Sequence, residues 1–239
     1  VSTGSSAGGL GTKAALRYIA QVSLHKASFG LLCVGLLAAC SSSKPTHPTD
    51  IKKVFTVEST FGPEFRVKGK GPSGIDPQLE GSQGLPPNVT FEPADCGKYT
   101  TGQRLPLGTQ GKMAAVFAEG KGNRFVAVAF QTADELPFEA IPEQCKHVTF
   151  SGPNVNGVTD AVDAPRIEGA HTLGTYRQIE AKVAEKEQSQ EVYHFSAYLG
   201  RSLVVVTATP LAAPNQPSSP IDVDRARRLL TDAVAAIRG

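Results

Sequence analysis

The chain has 239 residues, 40% hydrophobic and 19% charged, with a net charge of +2, a composition that excludes an intrinsically disordered protein. Residues 1–39 contain Lys13, Arg17 and Lys26 and no acid, leaving 21 basic against 22 acidic residues in the remainder. That near-neutral body lacks the clustered Lys and Arg that phosphate backbones require, so nucleic acid is not an expected partner.

The first 40 residues read as an address. Basic residues precede a short apolar run, Ala27 to Ala39, which ends at Cys40. The run is too short to span a bilayer, which takes about twenty apolar residues, but it suits the h-region of a secretory signal. Leu37-Ala38-Ala39-Cys40 resembles the lipobox of bacterial lipoproteins, in which the chain is cut before the cysteine and the thiol carries a diacylglyceryl group. The expected division is a signal peptide over residues 1–39, a lipidated cysteine and flexible tether over 40–50, and one globular domain over 51–239. Several acyl chains hold a protein to a membrane where one does so marginally, so the bilayer is the expected partner, through Cys40, on the exported face of the cell membrane.

Strand patterns dominate the rest. "KKVFTVES" (52–59) and "EFRVKG" (64–69) read as short strands, and the Gly- and Pro-dense stretch 69–88 as an irregular loop. "PADCGKY" (93–99) starts a short helix carrying Cys96. A hairpin follows: 113–120 and 124–132 flank Gly120-Lys121-Gly122-Asn123, where Gly and Asn supply the positive φ of a tight turn. Val126, Val128 and Phe130 line one face of its second strand and Phe125, Ala127 and Ala129 the other, so both faces are expected to be covered. The acidic segment 133–145 reads as a connector with a helical turn ending at Cys145.

Strands are expected over 146–152 and 171–183, with a Gly/Asn/Pro loop between them. A second hairpin, 191–199 with 202–210, turns at Gly200-Arg201; its β-branched residues favour a strand. Near the C-terminus, Ala226, Leu229, Leu230, Ala233, Val234 and Ile237 form one apolar stripe of a helix, capped by Asp222 or Asp224. Arg225, Arg227 and Arg228 read as its solvated face. The fold class is α+β: an antiparallel β-sheet with a C-terminal amphipathic helix and one or two short helices packed on one face.

Two cysteines remain after export, Cys96 and Cys145. An oxidising compartment favours a disulfide between them, closing a loop of about fifty residues worth roughly 4 kcal/mol. Zinc ligation and a catalytic thiol are the competing readings, although there is no CxxC motif. His147, His171 and His194 lie outside any metal-ligand spacing and read as surface or hydrogen-bonded histidines. No nucleophile elbow or phosphate-binding loop is present. No catalytic residue, metal or cofactor is therefore expected.

The segments "PPNVTFEPADCGKY", "CKHVTFSGP", "APRIEGAHTLGTYRQIE", "FSAYLGRSLVVVTATP" and "AVAAIRG" resemble a group of mycobacterial lipoproteins of unknown function. The paired cysteines and the closing hairpin are more distantly similar to the extracellular sensor domain of mycobacterial serine/threonine kinases. That domain carries two disulfides, and only one can form here. The resemblance implies an envelope protein with a ligand- or partner-binding role, and the strand aromatics and the lack of a catalytic signature add the expectation of a non-catalytic domain that takes an apolar envelope ligand or an envelope protein partner. The alternatives are an envelope hydrolase with an unfamiliar active site and a structural subunit of an envelope complex.

Overall fold

The computed structural model describes residues 49–76, 85, 88–100, 105–106, 108–183, 186–211 and 219–239. Cys40 and the segments expected to be a signal peptide and most of a tether lie outside the described residues. Thr49 and Asp50, expected in the tether, are bonded to the body: Thr49 Oγ1 lies 2.6 Å from Ser202 Oγ, and Asp50 N donates to Ile237 O at 2.8 Å.

Ile51–Thr60 (η1) is a 3₁₀ helix rather than a strand. Ile51, Val54 and Val57 are buried at intervals of three, the repeat of a 3₁₀ turn; a strand would have put Val54 and Val57 on opposite faces. Nine strands follow: β1 (Phe65–Gly74), β2 (Thr90–Glu92), β3 (Gly111–Gly120), β4 (Asn123–Thr132), β5 (His147–Gly152), β6 (Val155–Ala161), β7 (His171–Val183), β8 (Lys186–Leu199) and β9 (Ser202–Pro210). They form one antiparallel sheet in the order β1-β3-β4-β9-β8-β7-β6-β5-β2. With the terminal helix α1 (Val223–Arg238), this is the α+β architecture read from the sequence.

β6 fills what reads as a loop. Its Gly157 is required by close approach: a Cβ there would meet Gln178 O at 2.2 Å and the Phe150 ring at 2.5 Å. The β3–β4 turn is made by Lys121 (φ 49°) and Gly122 (φ 73°), one residue earlier than Gly and Asn would suggest. Two successive positive φ values match the right-handed twist of the hairpin.

The register sorts side chains onto two faces. On the helix-covered face, Ala114, Ala118, Ala127, Ala129, Ala197 and Ala208 lie under α1 and η1 with almost no exposure. These small side chains let α1 approach closely, and Ala226 and Ala233 do the same from the helix. Phe125, Phe195, Leu230, Val234 and Ile237 fill what remains. Asp222 caps α1, its Oδ1 accepting from Arg225 N at 2.9 Å, while Arg238 complements the dipole at the other end. The short helices η2 (Ala94–Tyr99) and η3 (Glu143–Cys145) belong to the other face, where Cys96, Tyr99 and Cys145 pack with Val148.

Asn123, 3% exposed, joins the hairpin to the helix entrance. Its Nδ2 donates to Lys121 O and Pro220 O, both at 3.1 Å, and its Oδ1 accepts from Asp222 N at 2.9 Å. Asn123→Ala would remove the partner of three part-buried backbone groups and is expected to cost about 2 kcal/mol. Urea unfolding followed by circular dichroism checks this; a loss near zero would show the hairpin and helix entrance to be held by packing instead.

Candidate functional site

The space between sheet and helix is filled, so the accessible surface of interest is on the opposite face. There the register aligns Phe117 (β3), Val126 (β4), Thr207 (β9), His194 (β8) and Thr175 (β7) across neighbouring strands. Val128 and Val205 lie one step along. Phe117 is 36% exposed, and the two valines and Val126 are half-buried. β4 is therefore central, but it is fully covered on one side only.

Two ridges rise from this floor. Leu105, Ile75, Leu136 and Phe138 pack over Met113, Phe130, Tyr198 and Leu203, near the end of the sheet where Thr49 is bound. The disulfide corner covers β5, and beyond it Thr100 O accepts from Thr159 Oγ1 (3.2 Å) and Arg177 Nη1 (3.4 Å). Toward the far end of the strands the floor continues into a cleft of about 400 Å³ lined by Arg124, Ile179, Gln190 and Thr209, among others. The arrangement is an open apolar trough between two raised walls.

A polar seam runs beside it. Thr159, Thr175, Arg177 and Ser196 are buried, and His194 follows Val192 on the same face. His194 Nε2 is shielded from solvent and makes no hydrogen bond to a described residue, and Ser196 Oγ is shielded beside the Tyr198 hydroxyl. Burial drives the His194 ring down to about 4, with the Arg177 charge adding to the effect, so it is neutral at neutral pH. Burial also holds the Tyr198 hydroxyl well above its ordinary range. On the helix side of the sheet, Tyr176 is pushed up to about 12, by burial first and then by its bond to Glu191 (3.1 Å).

The residues singled out in the sequence separate. Cys96 and Cys145 are bonded, with Cα atoms 5.2 Å apart. His147 Nδ1 lies 2.6 Å from Asp160 Oδ1 at the surface, and His171 stacks on Phe138 with centroids 4.5 Å apart. His194, read as a surface or hydrogen-bonded histidine, is half-buried, with its Nε2 shielded and without a partner among the described residues. The three histidines do not converge, and no group of three or more His, Cys, Asp or Glu among the described residues is arranged to hold a metal ion. His194 and Ser196 share a face two residues apart but do not bond to each other. Among the described residues no helix is long and apolar enough to cross a membrane.

The residues of the trough were not readable in the sequence because its floor comes from five strands. The readable trace was the polar alternation of β8, His194 and Ser196 set between Val192 and Tyr198.

Comparison with known proteins places this arrangement in context. The family described as "Domain of unknown function (DUF5642)" matches residues 50–238. The X-ray structure of an uncharacterised protein from Mycobacterium smegmatis, the Rv0999 ortholog, is similar at 44% identity and a TM-score of 0.76, covering 80% of this chain and 98% of that one. No curated protein matches.

Proposed function

Because the chain belongs to the DUF5642 family, whose description names no activity, we propose from its own chemistry that it is a lipid-anchored envelope lipoprotein that binds an apolar ligand without catalysis. The observation that carries the binding half is the exposed Phe117 and its half-buried valine neighbours, on the stretch of sheet between the two ridges, where the other face is packed. Clefts with an apolar floor and a few polar groups are the usual form of a ligand site. The mycobacterial neighbour supports an origin among mycobacterial proteins of unknown function. The lipoprotein assignment and the sensor-like role, suggested by similarity to kinase extracellular domains, belong to this proposal.

The anchoring half rests on the order of basic residues, apolar run, small residues and Cys40. Eight residues, 41–48, lie between Cys40 and Thr49, the first described residue, which is bonded to the body.

Expressed in a mycobacterial host, the wild-type chain is expected in the membrane fraction and Cys40→Ala in the soluble one. Intact-mass analysis should find the wild-type terminus acylated at Cys40. A variant that still fractionates with membranes would end the anchoring assignment. For the binding half, native mass spectrometry of the exported protein after exposure to envelope lipid extract should show a bound species; none across varied extracts would count against it.

A further inference from the structure

The charges around the trough narrow the class of ligand, an inference that rests on the reading of this face as a binding surface. Lys68 on β1 is the register partner of Phe117, and Lys70 that of Ala115 two positions away. Both lysines are exposed, and neither forms an ion pair with a described residue. Arg66 and Arg124 extend the row toward the cleft. Glu119 is the carboxylate that the described strands put on this face, and it is already engaged by Arg66 (3.1 Å) and Arg124 (2.7 Å). The carboxylates of Glu92, Asp160, Glu180, Glu187 and Glu191 project from the opposite face, as their register positions require. Lys112 and Lys182 share that opposite face, so it is the strand carboxylates, Glu119 apart, that are kept from the trough, while Lys68 and Lys70 line one margin of its apolar floor without a described ion-pair partner.

An apolar floor attracts a hydrocarbon chain, and a margin of free lysines attracts an anion. We propose that the trough binds a single anionic amphiphile. Its hydrocarbon tail lies on Phe117, Val126, Val128 and Val205, and its phosphate or carboxylate head meets Lys68 and Lys70, with Arg124 at the cleft end. A flat bilayer fits less well. Leu105, Leu136 and Phe138 pack over Met113, Phe130 and Leu203 on this face, so the floor is bordered by a ridge rather than flat. Free phosphate would leave the apolar floor unused.

The test uses the full chain carrying Cys40→Ala, so that binding is measured independently of anchoring. The probe is dodecyl phosphate below its micelle-forming concentration, followed by titration calorimetry; dodecyl maltoside, inorganic phosphate and anionic phospholipid vesicles are compared with it. Dodecyl phosphate should bind saturably, about tenfold or more tightly than the neutral maltoside and far more tightly than inorganic phosphate. Lys68→Gln combined with Lys70→Gln should weaken it by roughly tenfold, and Phe117→Ser by a similar factor of about ten. All three positions are exposed on β1 and β3, and an unchanged thermal midpoint shows that the variants remain folded. Absence of saturable binding overturns the proposal. So does binding that neither variant weakens, which puts the ligand elsewhere while leaving the binding function standing. Vesicle binding without monomer binding overturns it in favour of a membrane-facing surface. None of these results bears on whether Cys40 carries a lipid.

Discussion

Replacing both Cys96 and Cys145 by Ser should lower stability by about 4 kcal/mol, the chain-entropy value of a bridge closing a loop of 49 residues. For a domain of this size that is a fall of roughly 8–16 °C in the thermal midpoint. The location of the bridge adds a local consequence. It fastens η2 to η3, two short helices that pack with Phe91, Ile141 and Val148, and η2 leads directly into Thr100. Thr100 O in turn receives the bonds from Thr159 and Arg177 that close one side of the polar seam. Cutting the bridge should therefore loosen residues 94–100 before the sheet as a whole opens. Amide exchange would show this as lost protection at Thr100 and Arg177, with the β3–β4 hairpin unchanged under native conditions. Wild-type protein in dithiothreitol should reproduce the variant. A midpoint drop below about 2 °C would mean that Phe91, Ile141 and Val148 already order this corner, and that the unfolded chain gains little freedom when the bridge is cut.

How much of this was legible beforehand depended on how local each feature is. The α1 stripe, the Asp222 cap and both hairpins were readable because their signals lie within a few residues of one another. η1 was misread because Ile51, Val54 and Val57 are β-branched, and residue preference was weighed above the three-residue spacing that those same residues display. β6 was hidden by Gly157, a breaker when the segment is read in isolation. In the folded sheet it is the residue that fits between Gln178 O and the Phe150 ring. The trough lay further out of reach. Its floor exists because β4 pairs with β9 across more than seventy intervening residues, bringing Phe117 and Val126 into line with Thr207 and His194. Nothing within β4 distinguished Val128, half open to solvent, from Ala127 directly beneath the helix. The row of cations was hidden for the same reason: net charge is a sum, whereas Lys68, Lys70 and Arg124 act together only once β1, β3 and β4 are paired.

His194 should make the protein acid-sensitive in a definable window. In the unfolded chain the ring has its ordinary value near 6.5, and in the fold burial and Arg177 bring it down to about 4. A group whose folded value is depressed binds a proton less readily when folded than when unfolded. Its contribution is fully present above the unfolded value and is lost as pH falls from 6.5 toward 4, because protons then favour the unfolded state. Between pH 7 and pH 4.5 the loss should be about 2 kcal/mol. Arg177 supplies the charge facing the ring, while Thr175, Ser196 and Thr207 around it do not titrate. Protonation would put a second cation beside Arg177 in a seam whose Nε2 has no acceptor. Carboxylates also begin to titrate at the acid end. Glu64 is held low by Lys121, and Glu139 by Lys98 and Tyr99, so both lose stabilisation there as well. The informative quantity is therefore a difference: urea midpoints of wild type and His194→Gln at each pH. The two curves should converge or cross as pH falls from 7 to 4.5, with the wild type losing about 2 kcal/mol more than the variant. Parallel curves would show that the ring is reached by solvent, or finds an acceptor, when it takes up its proton. The seam would then be an ordinary hydrated part of the sheet, with no enclosed polar row beside the trough.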